Sequence, residues 1–142
     1  MQLSSPDFAA GEEIPVRFTC HGEDINPELH ISDVPPGTST LALIVDDPDA
    51  PNKTWVHWVV YNIPLTGKIE QDSIPGEVGP NDFEQDNYGG PCPPSGTHRY
   101  FFKLYALDTE LHLDNPSKEE LLAAMEGHVL AHCELMGKFT KP

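Results

Sequence analysis

Short apolar runs, separated by clusters of proline, glycine and aspartate, dominate the chain and predict a fold made mostly of strands. The clearest run covers residues 41–45, which are all apolar, too few for a typical helix and rich in strand formers. We expect a strand that is buried on both faces. The acidic segment 46–51 follows, and its prolines stop further strand pairing, so acidic side chains lie at the mouth of the buried strand.

Two longer segments alternate with a period of two and predict the strands that carry the candidate histidines. Over residues 55–63 the alternation gives two faces: Val56, Trp58 and Val60 on one, and Trp55, His57, Val59 and Tyr61 on the other. Over residues 98–107 one face carries His98, Tyr100, Phe102, Leu104 and Ala106. We therefore expect His57 to point into an aromatic and apolar layer, and His98 and Tyr100 to share a face.

The remaining apolar segments add shorter strands to this mostly β fold. Residues 14–20 and 29–34 predict two short strands, and residues 129–139 favour a final strand over a second helix. Residues 64–94 are rich in Gly, Pro, Asp and Asn without a period, which is typical of a region that builds a site. The length of 142 residues predicts a single domain.

One helix is predicted near the end of the chain. It starts at Ser117, whose hydroxyl can cap the amide three residues on while the Glu120 side chain reaches back. Its buried stripe is expected to be Leu121, Leu122 and Met125. The fold therefore needs few helices around its strands.

The charge of the chain excludes several classes of partner. Lys and Arg number 8 against 23 Asp and Glu, a formal charge of −15 that disfavours nucleic acid and anionic membranes. No apolar stretch approaches the roughly 20 residues of a membrane-spanning helix, and residues 1–6 lack the pattern of a signal peptide. Cys20, Cys92 and Cys133 are few, odd in number and far apart, unlike the disulfide framework of a small secreted domain. We expect a cytoplasmic protein with reduced cysteines.

Two loops join proline-stiffened backbone to an imidazole and form the candidate site. The first runs from Asp47 to His57, and the second covers residues 88–100. Stiff loops lose little conformational entropy when a ligand binds, and their glycines let backbone amides approach an anion. His57, His98 and the Tyr100 hydroxyl are candidate donors to phosphate, and Asp47 is expected to hold an imidazole charged or correctly oriented. The pattern predicts an anion pocket within an acidic protein.

The same residues allow plainer interpretations. A histidine in a sheet beside tryptophans is often a hydrogen-bonded core residue, and the 47–51 loop can be only a rigid turn. Asp47, Asp49, His57 and His98 are suitable types of metal ligand. No His-x-x-x-His or Cys-x-x-Cys pair fixes two ligands locally, so we expect neither a metal nor a cofactor.

Cys92 raises a further alternative, a hydrolase that uses its thiolate beside His98 or an activated water. A lone cysteine without an identified base is more often a small residue of a pocket wall, and that interpretation of Cys92 is preferred. Cys20 and Cys133 are interpreted as structural. On a regular strand Arg99 faces away from His98, so it is expected to pair with a carboxylate of the acidic loop.

Four motifs in order make the chain similar to a known family. They are D-P-D-A-P at 47–51, W-x-H-W-V-V-Y-N at 55–62, Y-G-G-P-C-P-P-S-G-T-H-R-Y at 88–100 and F-x-L-Y-A-L-D at 102–108. The chain resembles the phosphatidylethanolamine-binding protein family, in its prokaryotic Raf-kinase-inhibitor-like branch. The resemblance implies a central antiparallel sheet packed with a second, smaller sheet, few peripheral helices, and a small surface pocket for phosphate or phosphorylated head groups.

The resemblance also assigns residues to that pocket. The family positions match Asp47, His57, Gly90, His98 and Tyr100, and Cys92 stands where eukaryotic members tend to have proline. Independently of the resemblance, we expect Asp49, Pro91 and Arg99 to support the pocket from beside it.

We expect a non-catalytic binding protein with a small anion pocket and a regulatory role. One alternative is an interaction or inhibitor module whose pocket controls a protein partner, and a second is the hydrolase based on Cys92. An exposed sheet edge also leaves a homodimer open.

Overall fold

The computed structural model describes all 142 residues and places eight strands in two antiparallel sheets. The elements are β1 (Gln2–Ser4), β2 (Leu29–Ser32), β3 (Thr40–Asp47), β4 (Trp55–Ile63), β5 (Lys68–Ile69), β6 (Glu77–Gly79), β7 (Thr97–Leu107), α1 (Lys118–Met125) and β8 (Val129–Thr140). The smaller sheet has the order β1-β2-β5 and the central sheet the order β6-β4-β3-β7-β8. The predicted mostly β class, with a central and a smaller sheet and few helices, is confirmed. The helix α1, with 8 residues, is too short to cross a bilayer.

Strand β3 is the middle of the central sheet, and residues 41–45 are at most 2% exposed, as the unbroken apolar run predicts. One face of the central sheet packs on the smaller sheet around Trp58 and Phe102, in a core of 20 buried residues. The other face packs on α1 around Ile44 and Leu121, in a core of 9 buried residues. Burial on both faces fixes the ends of β3, β4 and β7 relative to one another.

Strand β4 departs from the strict alternation that its sequence predicts. Val45 pairs with Trp58 and Asp46 pairs with Val56, so His57 is an extra residue opposite β3, a β-bulge. Val56 consequently joins the α1 side of the sheet, and the prediction that it shares a face with Trp58 is wrong. The bulge directs the His57 ring toward the loops at this end of the sheet.

The predicted strand over residues 14–20 is a turn that contains a 3-10 helix at Val16–Phe18. Phe18 N donates to the Pro15 carbonyl at 3.1 Å, and Thr19 N donates to Val16 at 3.0 Å. The apolar side chains Ile14 and Phe18 are nevertheless buried, because a turn can bury alternate residues without pairing its backbone in a ladder. Periodicity alone does not separate these two cases.

The end of the chain follows the prediction with one difference. Glu120 N donates to Ser117 Oγ and Ser117 N donates to Glu120 Oε1, both at 3.1 Å, which confirms the capping box. Leu121 and Met125 are buried, but Leu122 is 38% exposed because it lies outside the stripe that faces the sheet. The predicted final strand is confirmed as β8, which pairs along β7 at the edge of the central sheet.

Candidate functional site

The two predicted loops meet at a cavity of about 300 Å³ at one end of the central sheet. The C-terminal end of β3, the start of β4 and the start of β7 contribute to it, since antiparallel neighbours alternate in direction. The lining residues are Asp47, Ala50, Pro51, Asn52, Trp55, His57, Phe83, Cys92, Pro94 and His98. The fold thus brings four of the predicted site residues, Asp47, His57, Cys92 and His98, to one cavity.

A buried acid–imidazole pair forms one wall. His98 Nδ1 lies 2.7 Å from Asp47 Oδ2, and the two side chains are only 8% and 4% exposed. Asp47 Oδ1 accepts a hydrogen bond from the Asp49 backbone amide at 2.7 Å. Both oxygens of the carboxylate are therefore engaged, which is how a buried acid is accommodated in a chain of charge −15. Asp47 holds His98, one of the two imidazoles that the sequence offered for this role.

His57 is held differently. Its Nδ1 lies 2.7 Å from the Gly89 carbonyl oxygen, so Nδ1 carries a hydrogen and donates it. Burial lowers the pKa of His57, and the neutral form therefore dominates at neutral pH. The expectation that Asp47 holds an imidazole charged or correctly oriented concerns His98 and not this ring, because Asp47 contacts His98. The neutral ring of His57 presents Nε2 as a hydrogen-bond acceptor.

Several polar atoms at the site lack protein partners. The Nε2 atoms of His57 and His98 form no hydrogen bond with the protein and remain accessible to solvent, whereas Trp55 Nε1 and Tyr100 Oη are buried without a partner. Tyr100 lies behind His57, edge-on at 5.2 Å between ring centroids, and does not line the cavity. Burial raises the pKa of Tyr100, so its hydroxyl keeps its proton. Buried polar groups are normally paired, so Trp55 Nε1 and the two Nε2 atoms, which belong to residues that line the cavity, are candidates for ligand contacts.

Two glycines of the second loop, Gly89 and Gly90, do not offer the free amides that the predicted cradle requires. Gly89 N donates to the His57 carbonyl at 2.9 Å, and Gly90 N donates to Asp24 Oδ1 at 2.7 Å. Gly90 is buried outside the cavity lining, and a Cβ there would collide with the Phe18 carbonyl oxygen. Gly90 therefore serves the close packing of two loops. Its neighbour Pro91 is also buried and accepts a hydrogen bond from Cys20 N at 3.1 Å.

Cys92 is not the free thiol that the sequence suggested. It forms a disulfide with Cys20, which lies 72 positions earlier in the sequence, with 5.5 Å between the two Cα atoms. The long separation hides the pairing, because only the fold places the two loops side by side. The hypothesis of a Cys92 thiolate nucleophile is wrong for this state, and the argument from reduced cysteines to a cytoplasmic location loses its basis. Cys133 is the free cysteine.

Arg99 makes the ion pair that its strand position predicted. Its side chain donates to both carboxylate oxygens of Asp49 at 2.9 Å, and its backbone amide donates to Asp49 Oδ2 at 2.9 Å. The side-chain hydrogen bonds from Arg99 lower the pKa of Asp49. The Arg99 side chain is half exposed, so the pair fixes the acidic loop on β7 more than it adds stability.

Sequence reasoning missed the aromatic side of the cavity. Phe83 packs edge-on against His57 at 5.3 Å and against Trp55 at 5.6 Å between ring centroids. Asp82 fixes this segment, because its Oδ2 accepts a hydrogen bond from Val56 N at 2.7 Å. The only signal in the sequence is an isolated aromatic residue in a polar loop, which does not reveal its partner.

Comparisons with known proteins agree on one family. A family model described as phosphatidylethanolamine-binding protein matches residues 4–140. A UPF0098 protein of Methanothermobacter thermautotrophicus is 49% identical over 99% of this chain and 99% of its own length, and one of Chlamydia pneumoniae is 44% identical with the same coverage.

Two solved structures share the architecture. CT736 of Chlamydia trachomatis, described as a phosphatidylethanolamine-binding protein homologue, has a TM-score of 0.95 at 41% identity, over 99% of this chain and 97% of its own. YbcL of E. coli, described as a new member of the mammalian PEBP family, has a TM-score of 0.92 at 31% identity, over 99% of this chain and 98% of its own.

Proposed function

The chain belongs to the phosphatidylethanolamine-binding protein family, and from that premise we propose that its cavity binds a small phosphorylated or anionic ligand without turning it over. The observation that carries the proposal is the arrangement of His98 and His57. Both rings are anchored through Nδ1, and both leave Nε2 free at one cavity. Two fixed ring nitrogens at one small cavity suit the oxygens of a phosphate group.

Protonation decides how the two rings act. With Nδ1 of each ring donating to its anchor, Nε2 donates to a phosphate oxygen only when the ring is protonated. Because burial lowers the pKa of His57, binding of an anion to His57 takes up a proton near neutral pH. Affinity for phosphate should therefore fall as the pH rises, as linkage between proton and anion requires.

The cavity also limits the size and character of the ligand. A volume of about 300 Å³ lies at the lower end of small-molecule sites and admits a phosphate with a short substituent. The aromatic side formed by Trp55 and Phe83 suits an apolar or cationic substituent beside the anion. The buried, unpaired Trp55 Nε1 lies next to this wall and is a further candidate donor.

Calorimetry with inorganic phosphate and with phosphoethanolamine tests the proposal. His98→Ala and His57→Ala should each remove detectable binding while circular dichroism shows a folded protein. The matched control is His112→Ala, since His112 is 86% exposed and remote from the cavity, and it should bind as wild type. Wild-type affinity in either cavity variant would overturn the site assignment, and release of phosphate from phosphoethanolamine would overturn the non-catalytic role.

A further inference from the structure

Three side chains of metal-ligating types converge beside the cavity, and only one of them, Cys92, lines it. The Cys20 and Cys92 sulfurs and one imidazole nitrogen of His21 all lie within 4.8 Å of one another. The His21 ring has no hydrogen-bond partner in the protein and stacks on Phe139 at 6.1 Å between centroids. No other group of three such residues in this protein lies so close together.

The two loops that carry these residues are joined by more than the disulfide. Cys20 N donates to the Pro91 carbonyl at 3.1 Å, and Gly90 N donates to Asp24 Oδ1 at 2.7 Å. Tyr88 Oη donates to the Phe18 carbonyl at 2.8 Å from a buried position. None of these three hydrogen bonds uses a sulfur atom, so cleaving the disulfide does not itself break them.

We propose that the reduced protein binds one Zn²⁺ through Cys20, His21 and Cys92. A phosphine reductant cleaves the Sγ–Sγ bond, is oxidised to the phosphine oxide with a water oxygen, and leaves two thiols. Zn²⁺ then displaces the two thiol protons to solvent, and water takes the fourth position. Two thiolates neutralise the charge of the ion, and thiolate and imidazole are the donors that zinc prefers.

The distances of a zinc site are within reach. Zn–S bonds of about 2.3 Å and Zn–N bonds of about 2.0 Å put tetrahedral ligand atoms roughly 3.3–3.8 Å apart. The ligand atoms of Cys20, His21 and Cys92 already lie within 4.8 Å of one another, so rotation of the side chains is enough to bring them to these distances. The side chains are solvent-accessible, which gives the ion a path of entry.

The oxidation state controls the site. Disulfide sulfurs carry no thiolate charge and are poor zinc ligands, so the oxidised protein lacks two of the three donors. Metal binding in turn protects the thiols from reoxidation, because the thiolates are occupied. Since Cys92 also lines the cavity, the ion lies at the cavity rim.

Zinc titration of oxidised and phosphine-reduced protein under nitrogen tests the proposal. Reduced wild type should bind one equivalent and oxidised wild type none. Cys20→Ser should abolish binding, and His21→Ala, which leaves both sulfurs in place, should weaken it about tenfold or more. Controls are Cys133→Ser, which removes the free cysteine, and His112→Ala, and both should bind as reduced wild type. Co²⁺ should give the thiolate charge-transfer absorption only in the reduced protein.

Four outcomes would overturn the inference: equal binding before and after reduction, unchanged affinity in His21→Ala, loss of the site in Cys133→Ser, or loss of the far-ultraviolet circular dichroism on reduction. The last means that the loops do not hold the ligands without the disulfide. None of these outcomes bears on phosphate binding at His57 and His98, which is measured separately on the oxidised protein.

Discussion

Asp47→Asn separates two roles for the buried carboxylate. Asp47 Oδ2 lies 2.7 Å from His98 Nδ1, and Oδ1 accepts from Asp49 N at 2.7 Å. Asparagine has the same shape but one acceptor oxygen, so it can keep only one of these bonds and directs its NH₂ group at the other donor. With both oxygens already engaged, we expect Asp47 to act on the ligand through the His98 ring and not by direct contact.

The expected magnitude follows from the bond that is lost. A hydrogen bond to a charged group contributes about 1.5–3 kcal/mol, and about 1.4 kcal/mol corresponds to tenfold in a dissociation constant. The Kd for phosphate should therefore rise by about 10- to 100-fold in Asp47→Asn. Because the effect passes through His98, inorganic phosphate and phosphoethanolamine should lose affinity equally.

Titration calorimetry of inorganic phosphate and phosphoethanolamine with the wild type and with Asp47→Asn, all at one pH, measures these changes in Kd. The matched control is Asp108→Asn, because Asp108 also pairs with a histidine, His128, at 2.8 Å, but at the far, exposed end of β7. It should leave both affinities unchanged. A larger loss for phosphoethanolamine would show that Asp47 contacts the ammonium group of the ligand, and tighter binding of both ligands would show that it only repels anions; either result refutes the reasoning.

Three further predictions concern stability. Since burial lowers the pKa of His57, the stability from its neutral ring is present above about pH 6.5 and is lost as the pH falls below it. In urea unfolding, His57→Gln should therefore flatten the decline of the unfolding free energy below about pH 6.5, and an unchanged slope would contradict this. Gly90→Ala should lower the free energy of unfolding by about 1–3 kcal/mol or more, because the added Cβ collides with the Phe18 carbonyl oxygen. Gly67→Ala is the control, since a Cβ there makes only an ordinary contact, and equal effects of the two substitutions would argue against the packing role of Gly90. Replacing Cys20 and Cys92 together by serine should lower the free energy of unfolding by about 4 kcal/mol, as expected for a closed loop of this length. The control Cys133→Ser should leave it nearly unchanged, and a loss below about 1 kcal/mol in the double variant would show that the chain-entropy argument does not apply here.

The sequence predicts the strands that carry the site better than the contacts within it. The apolar pattern of residues 41–45 and 98–107 follows from burial alone. The predicted strands are therefore found, as β3 and β7. The failure over residues 14–20 has a physical cause, since a turn that buries Ile14 and Phe18 gives the same spacing as a short strand. The bulge at His57 is also invisible, because it depends on the register between two strands and not on either strand alone.

Within the site, residue types were predictable and partners were not. Asp47, His57 and His98 were identified because acids and imidazoles beside stiff loops are suited to binding. Which imidazole the acid holds depends on loop geometry, and so does the use of the Gly90 amide by Asp24. The disulfide was missed for the same reason, since counting cysteines says nothing about which loops the fold brings together.

Strand β4 cannot both pair regularly with β3 at position 57 and direct the His57 ring into the cavity, because the ring faces the cavity only through the bulge. Deleting one residue between Trp55 and Trp58 would remove the register shift between Val45 and Asp46, and it would remove from the cavity the ring that the bulge places there. Selection for thermal stability alone should therefore favour variants that shorten or straighten this segment. A population that keeps the irregular strand under such selection would show that the ring is needed for more than folding.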